Sequence, residues 1–155
     1  MILYNGRDII KKQGIYLLTF ISVFTGGMIY VLWRQDTVRF FSWLDAIGLY
    51  PPVETIRAYS LPLYPLIPDW IVYSLPNGLW AFGYALVIVY LWRDNSSKIK
   101  YFWYATIPVL AIGWEMSQYF GLITGVFCYN DLFFSCAGIG IGMFIGFNHS
   151  KEITK

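Results

Sequence analysis

Charge is scarce in this chain. Asp, Glu, Lys and Arg together make up 13% of its 155 residues, against about 25% in an average soluble domain. That deficit leaves too little polar surface to coat a water-soluble globule of this size, which disfavours a soluble all-helical core. The net charge is only +2, and no basic run carries base-stacking character, so nucleic acid is not an expected partner. Histidine is nearly missing: the single residue, His149, sits in the polar C-terminal tail, on the cytoplasmic side in the topology derived below. A Ser–His or Cys–His catalytic arrangement is therefore not expected, and zinc lacks a ligand set. Cysteine is limited to Cys128 and Cys136. Eight residues apart on one helix, they would be separated by about 12 Å along its axis. That is too far for a disulfide unless irregular backbone intervenes, so free thiols are expected. No small-x-small cleavage site follows the first apolar run, so "MILYNGRDIIKKQGIYLLTF" reads as a retained signal anchor. Repeats and low-complexity tracts are lacking.

What the chain has in quantity is apolar surface. Hydrophobic residues make up 57% and aromatics 21%, with many Trp and Tyr at the ends of apolar runs, as at a bilayer interface. Runs of about 20 apolar residues suit a membrane span. Four can be drawn, at about 14–33, 70–92, 101–121 and 131–147. The polar "RQD" closes the first, and "RDNSSKIK" (93–100) is the clearest hydrophilic turn. The fold class expected is thus all-α, a polytopic membrane protein with four transmembrane helices in a single domain. Four spans put the N-terminus, the 93–100 turn and the C-terminal tail on one side. Those pieces hold Arg7, Lys11, Lys12, Arg93, Lys98, Lys100, Lys151 and Lys155, eight of the eleven basic residues. Only Arg34, Arg39 and Arg57 remain opposite. The positive-inside rule then places both termini in the cytoplasm.

Segment 34–69 is too apolar for a solvated loop. Phe40, Phe41, Trp43, Leu44 and Ile47 fall together at helical spacing, as in a helix lying in the interface. Pro51 and Pro52 are expected to stop that helix, and Pro62, Pro65 and Pro68 to break the remainder. The segment reads as an outer amphipathic lid, with a short re-entrant turn or a plain spacer as alternatives.

The polar residues of "GWEMSQYFGLITGVFCYND" (113–131) interrupt this pattern. Glu115 and Gln118, at i and i+3, share a helix face in the last third of the third span. A charged group at the centre of a spanning helix costs about 2.5–3.5 kcal/mol on the insertion scale, and such groups face a bundle interior or water cavity. Asp131 opens the fourth span at the same outer level, and Asn77 opens the second. Asn77, Glu115, Gln118 and Asp131 are therefore expected to line an outward-facing ligand-binding pocket. The alternative is structural: Asp131 suits an N-cap, and Glu115 a hydrogen bond between helices. Two carboxylates and two amides could hold a hard cation, yet no metal and no cofactor are expected. In "AGIGIGMFIG", Gly138, Gly142 and Gly146 recur every four residues. They give the fourth helix a smooth face for close helix packing.

These residues resemble the VanZ-like family of small bacterial membrane proteins, named from a teicoplanin-resistance member. Its pattern runs approximately E-x-x-Q, a glycine-containing loop, then D-x-x-x-N-x-x-G-x-x-x-G. Glu115 and Gln118, Gly125, then Asp131, Gly138 and Gly142 fill it over roughly residues 70–146. Val126 stands where an arginine often follows the loop glycine, and Ser135 where the asparagine falls. "LPNGLWAFGYAL" (75–86) looks like an "LPDGLW" opening with Asn77 in the aspartate position. The resemblance implies a bacterial inner-membrane protein linked to the cell envelope or antibiotic resistance. Membrane lipids are the expected partners. The leading function is binding of a lipid, a lipid-linked envelope precursor or an amphiphilic antibiotic. Alternatives are an oligomeric pore assembled through the glycine face and a membrane enzyme using the paired carboxylates. No span carries a polar stripe along its whole length, which disfavours a monomeric water channel.

Overall fold

A computed structural model describes the backbone of residues 6–148 and the side chains from Gln13 onward. His149, Lys151 and Lys155 lie outside the described residues, as do the side chains of Arg7, Lys11 and Lys12. All regular structure among the described residues is helical. The order is α1 (Gly6–Trp33), α2 (Arg39–Ala46), α3 (Tyr50–Ser60), a 3-10 segment (Leu61–Leu66), α4 (Asp69–Tyr73), α5 (Leu75–Trp92), α6 (Ile99–Ala111), α7 (Gly113–Tyr119) and α8 (Tyr129–Asn148).

Three stretches are long and apolar enough to cross a membrane: Gln13–Trp33, Leu75–Trp92 and Tyr129–Asn148. The run expected as a third span is divided instead. Pro108 lies inside α6, where its ring removes an N–H and crowds the preceding turn, and the helix is interrupted at Ile112 before α7 begins. The run expected from Trp70 is also broken, at Ser74, just before Pro76 in the first turn of α5. Large apolar side chains lie outside, including Leu17, Phe20 and Phe24 on α1 and Phe133, Ile141 and Phe144 on α8. So large an apolar exterior is foreign to soluble monomers.

Helix α5 is central. It packs against α1, α6 and α8, most extensively against α8, and buries Ala81, Ala85, Leu86 and Val89. The glycine face of α8 makes this contact. A methyl group on Gly138 would collide with the Gly78 carbonyl, and one on Gly142 would sit 2.6 Å from the Phe82 carbonyl oxygen. These backbones meet with no room for a side chain. Because α5 covers this face within one chain, it is not free to assemble a pore.

At one end of the bundle, Tyr16 of α1 meets Tyr90 of α5 edge-on, and Trp92 stacks on Trp103. There the Arg93 guanidinium donates to the Gly146 carbonyl (2.9 Å). At the other end, the segment expected as a lid packs mainly against α1. Helix α2 forms over the expected residues but ends on a left-handed Gly48 (φ 73°). Pro51 and Pro52 do not stop it; they sit in the first turn of α3. A helix start has no use for its first N–H groups, so proline fits there. Arg57 of α3 is buried. Its guanidinium lies over the Phe41 ring (4.5 Å) and donates to the carbonyls of Val31 (2.5 Å) and Arg34 (2.8 Å). A cation is thus fixed on the orphan carbonyls and negative dipole end of α1. Trp33 Nε1 donates to the Ser60 carbonyl (3.0 Å), adding a second anchor.

Candidate functional site

At the end of the bundle where α1 finishes, bordered by α1 and α4 to α8, lies a cavity of about 830 Å³; none of residues 37–68 is among its lining. Ligand pockets commonly fall between about 300 and 1,000 Å³. Asn77, Glu115, Gln118 and Asp131, the four residues singled out in the sequence, all line it. The antiparallel path of the chain explains the convergence. It brings the first turns of α5 and α8 beside α7 at the lid end of the bundle.

Glu115 is 5% exposed. Its Oε2 accepts one long hydrogen bond, from the Cys128 backbone N–H at 3.4 Å. Asp131 is in the first turn of α8, where the helix dipole favours a carboxylate. Rather than capping that helix, its Oδ1 accepts a 2.5 Å hydrogen bond from Ser74 Oγ, at the break between α4 and α5. Ser74 is itself buried, so the helix break carries a donor to the acid. Asn77 is half-buried. Gln118 is held on both sides. With its amide oriented to satisfy both contacts, the nitrogen donates to the Val126 carbonyl (3.2 Å) and the oxygen accepts from Trp114 Nε1 (3.2 Å). Gly125 makes room for it: its φ is +147°, and a side chain there would run into the Gln118 amide.

The sequence reading missed the cavity's cation. Arg34 at the end of α1 lines the same space, with its guanidinium 4.6 Å from the Tyr73 ring centre and 5.5 Å from that of Tyr30. In the sequence it reads only as a charge beyond the end of the first apolar run. The signal was local, because Tyr30 and Arg34 are spaced i and i+4 and share a helix face. Val126, where the resemblance leads one to look for arginine, is strongly exposed at the edge of the cavity. Ser135, at the asparagine position, is buried one turn after Asp131 and also lines the cavity. Aromatic rings, among them Trp80, Tyr84 and Trp114, supply much of the remaining wall.

Among the described residues, no three His, Cys, Asp or Glu side chains come together as a metal group. Cys128 and Cys136 are both free thiols. The cavity therefore offers one guanidinium, two carboxylates and two amides above an aromatic wall. Such a set can bind and orient a polar head. No protein family, curated protein or solved structure matches this chain.

Proposed function

We propose that the chain is a multi-pass membrane protein whose cavity binds the polar head of an amphiphile. The ligand is a lipid, a lipid-linked envelope precursor or an amphiphilic antibiotic. One observation carries this reading: Arg34, Asn77, Glu115, Gln118 and Asp131 border a single cavity at the lid end of an otherwise apolar bundle. Polar groups at membrane depth are costly unless they face a partner or a ligand, and here five of them share one hollow.

In this reading α1, α5 and α8 cross the bilayer, and α6 with α7 makes a fourth, kinked crossing. Both termini are cytoplasmic, following the Lys and Arg distribution, and the lid segment lies on the outer side. Glu115 and Asp131 contact head-group donors, and Gln118 and Asn77 orient the head. The resemblance to the VanZ-like family supports a bacterial inner-membrane setting with a role in the envelope or in resistance.

The test is direct. Protein purified in mild detergent is exposed to a bacterial lipid extract, and bound amphiphile is measured by native mass spectrometry. Glu115→Gln together with Asp131→Asn is expected to strip most bound lipid while leaving the fold intact. Unchanged lipid binding, with unchanged resistance in cells, assigns these acids a structural role and ends the reading.

A further inference from the structure

The charges in the cavity narrow the ligand class. The Arg34 side chain is half-buried, its guanidinium near the faces of the Tyr73 and Tyr30 rings. Among the described residues no carboxylate lies within ion-pair distance of it; the ion pair they do form, Arg93–Asp94, is at the opposite end of the bundle. Its fork of N–H donors is held in a plane and faces the cavity without an anion. A guanidinium so presented matches the oxygens of a phosphate, which can take two parallel hydrogen bonds.

Across the same cavity the shortage is of the opposite kind. Glu115 is almost completely buried and has a single 3.4 Å donor. Asp131 has one donor, Ser74. An ionised carboxylate offers about four acceptor positions, and among the described residues no lysine lines the cavity. The two acids thus keep most of their acceptor positions unfilled, and the guanidinium lacks an anion. A ligand bearing only a phosphate leaves the acids unpaired, and one bearing only an amine leaves Arg34 unpaired.

Resting on the amphiphile reading above, we infer that the cavity selects a phosphodiester joined to a primary ammonium, the head of an ethanolamine phospholipid. The phosphate takes Arg34, and the ammonium donates to Glu115 and Asp131. A quaternary ammonium has no N–H to give these acids, so choline heads are disfavoured. Glycerol heads lack the cation altogether. The aromatic wall then receives the glycerol and the upper acyl chain.

Competition on the unaltered protein tests this. Native mass spectra are taken with equal amounts of ethanolamine, choline and glycerol phospholipids of identical acyl chains. Glycerophosphoethanolamine, which has the head without the chains, serves as a soluble competitor. The expected result is about tenfold preference for the ethanolamine lipid, the worth of one charge-assisted hydrogen bond. The soluble competitor should displace it only at large excess. Arg34→Gln should weaken ethanolamine and glycerol lipids together, with Arg34→Lys recovering part of the binding. Glu115→Gln should selectively erase the preference over the glycerol lipid. Equal binding of all three lipids that is still lost in the acid variants overturns the head-group assignment and leaves the amphiphile reading standing. Binding indifferent to every cavity variant overturns both. Equal potency of the soluble competitor overturns the lipid as the source of the head.

Discussion

Replacing Gly138 and Gly140 by alanine, one at a time, separates packing from helix propensity on the same turn of α8. At Gly138 the new methyl group meets the Gly78 carbonyl at an impossible distance and the Phe82 backbone nitrogen at 3.1 Å. Both are backbone atoms, so neither can swing aside and the two helices must move apart. At Gly140 a methyl group meets nothing within 4 Å. Both variants gain the helix preference of alanine over glycine, about 1 kcal/mol, so that contribution cancels in the difference. What remains is overpacking, about 1–3 kcal/mol, with the rigid backbone contact favouring the upper part. Gly140→Ala should therefore be slightly more stable than the parent chain, and Gly138→Ala less stable than Gly140→Ala by about 2 kcal/mol. The assay is reversible unfolding in mixed micelles followed by tryptophan fluorescence. Trp70 stacks on Phe134 of α8 at 5.4 Å between ring centres, so it reports the seating of that helix. If the two variants unfold within about 0.5 kcal/mol of each other, the ordinary scatter of surface substitutions, the close α5–α8 contact is refuted.

Arg57→Met should loosen the lid by about 3 kcal/mol or more, since it deletes two hydrogen bonds from a charged donor worth roughly 1.5–3 kcal/mol each. Limited proteolysis should then cut residues 37–68 much faster than in the parent chain. Gly125→Ala should displace the Gln118 amide and cut amphiphile binding several-fold with little change in helix content by circular dichroism; undiminished binding would show that Gln118 does not position the head. Tyr64, in the lid, has its phenol pKa pushed up to about 12, chiefly by its hydrogen bond with Tyr73. A raised pKa favours the protonated fold, so this contribution to stability is complete below pH 10 and disappears as pH rises through about 12. In an absorbance titration at alkaline pH, Tyr64→Phe should remove one of the late tyrosine steps.

The four polar residues were legible because each lies near the end of an apolar run, and an antiparallel bundle brings such ends to a common depth. Depth alone said nothing of azimuth. The contact that turns Asp131 inward comes from Ser74, whose role depends on a helix break at that residue. Arg34 was hidden for another reason. A charge beyond a span reads as topology, and its place in the cavity needs Tyr73, far along the chain, to make the second wall. Pro51 and Pro52 illustrate a directional ambiguity. Proline forbids continuation of a helix and suits the start of the next, and only Gly48 ahead of them settles which applies. Pro108 was visible inside the third apolar run, but a run judged by hydropathy conceals a kink. The fate of the glycine face was equally out of reach, since its spacing announces a close neighbour without naming it.

The most direct test of the account is a cryo-EM map of the protein in nanodiscs made from bacterial lipid. Elongated density should occupy the cavity, its compact end against Arg34, Glu115 and Asp131 and its tail leaving between the helices toward the bilayer. Carboxylates of Glu115 and Asp131 directed into separate environments, or a hollow filled by the protein's own side chains, would contradict it.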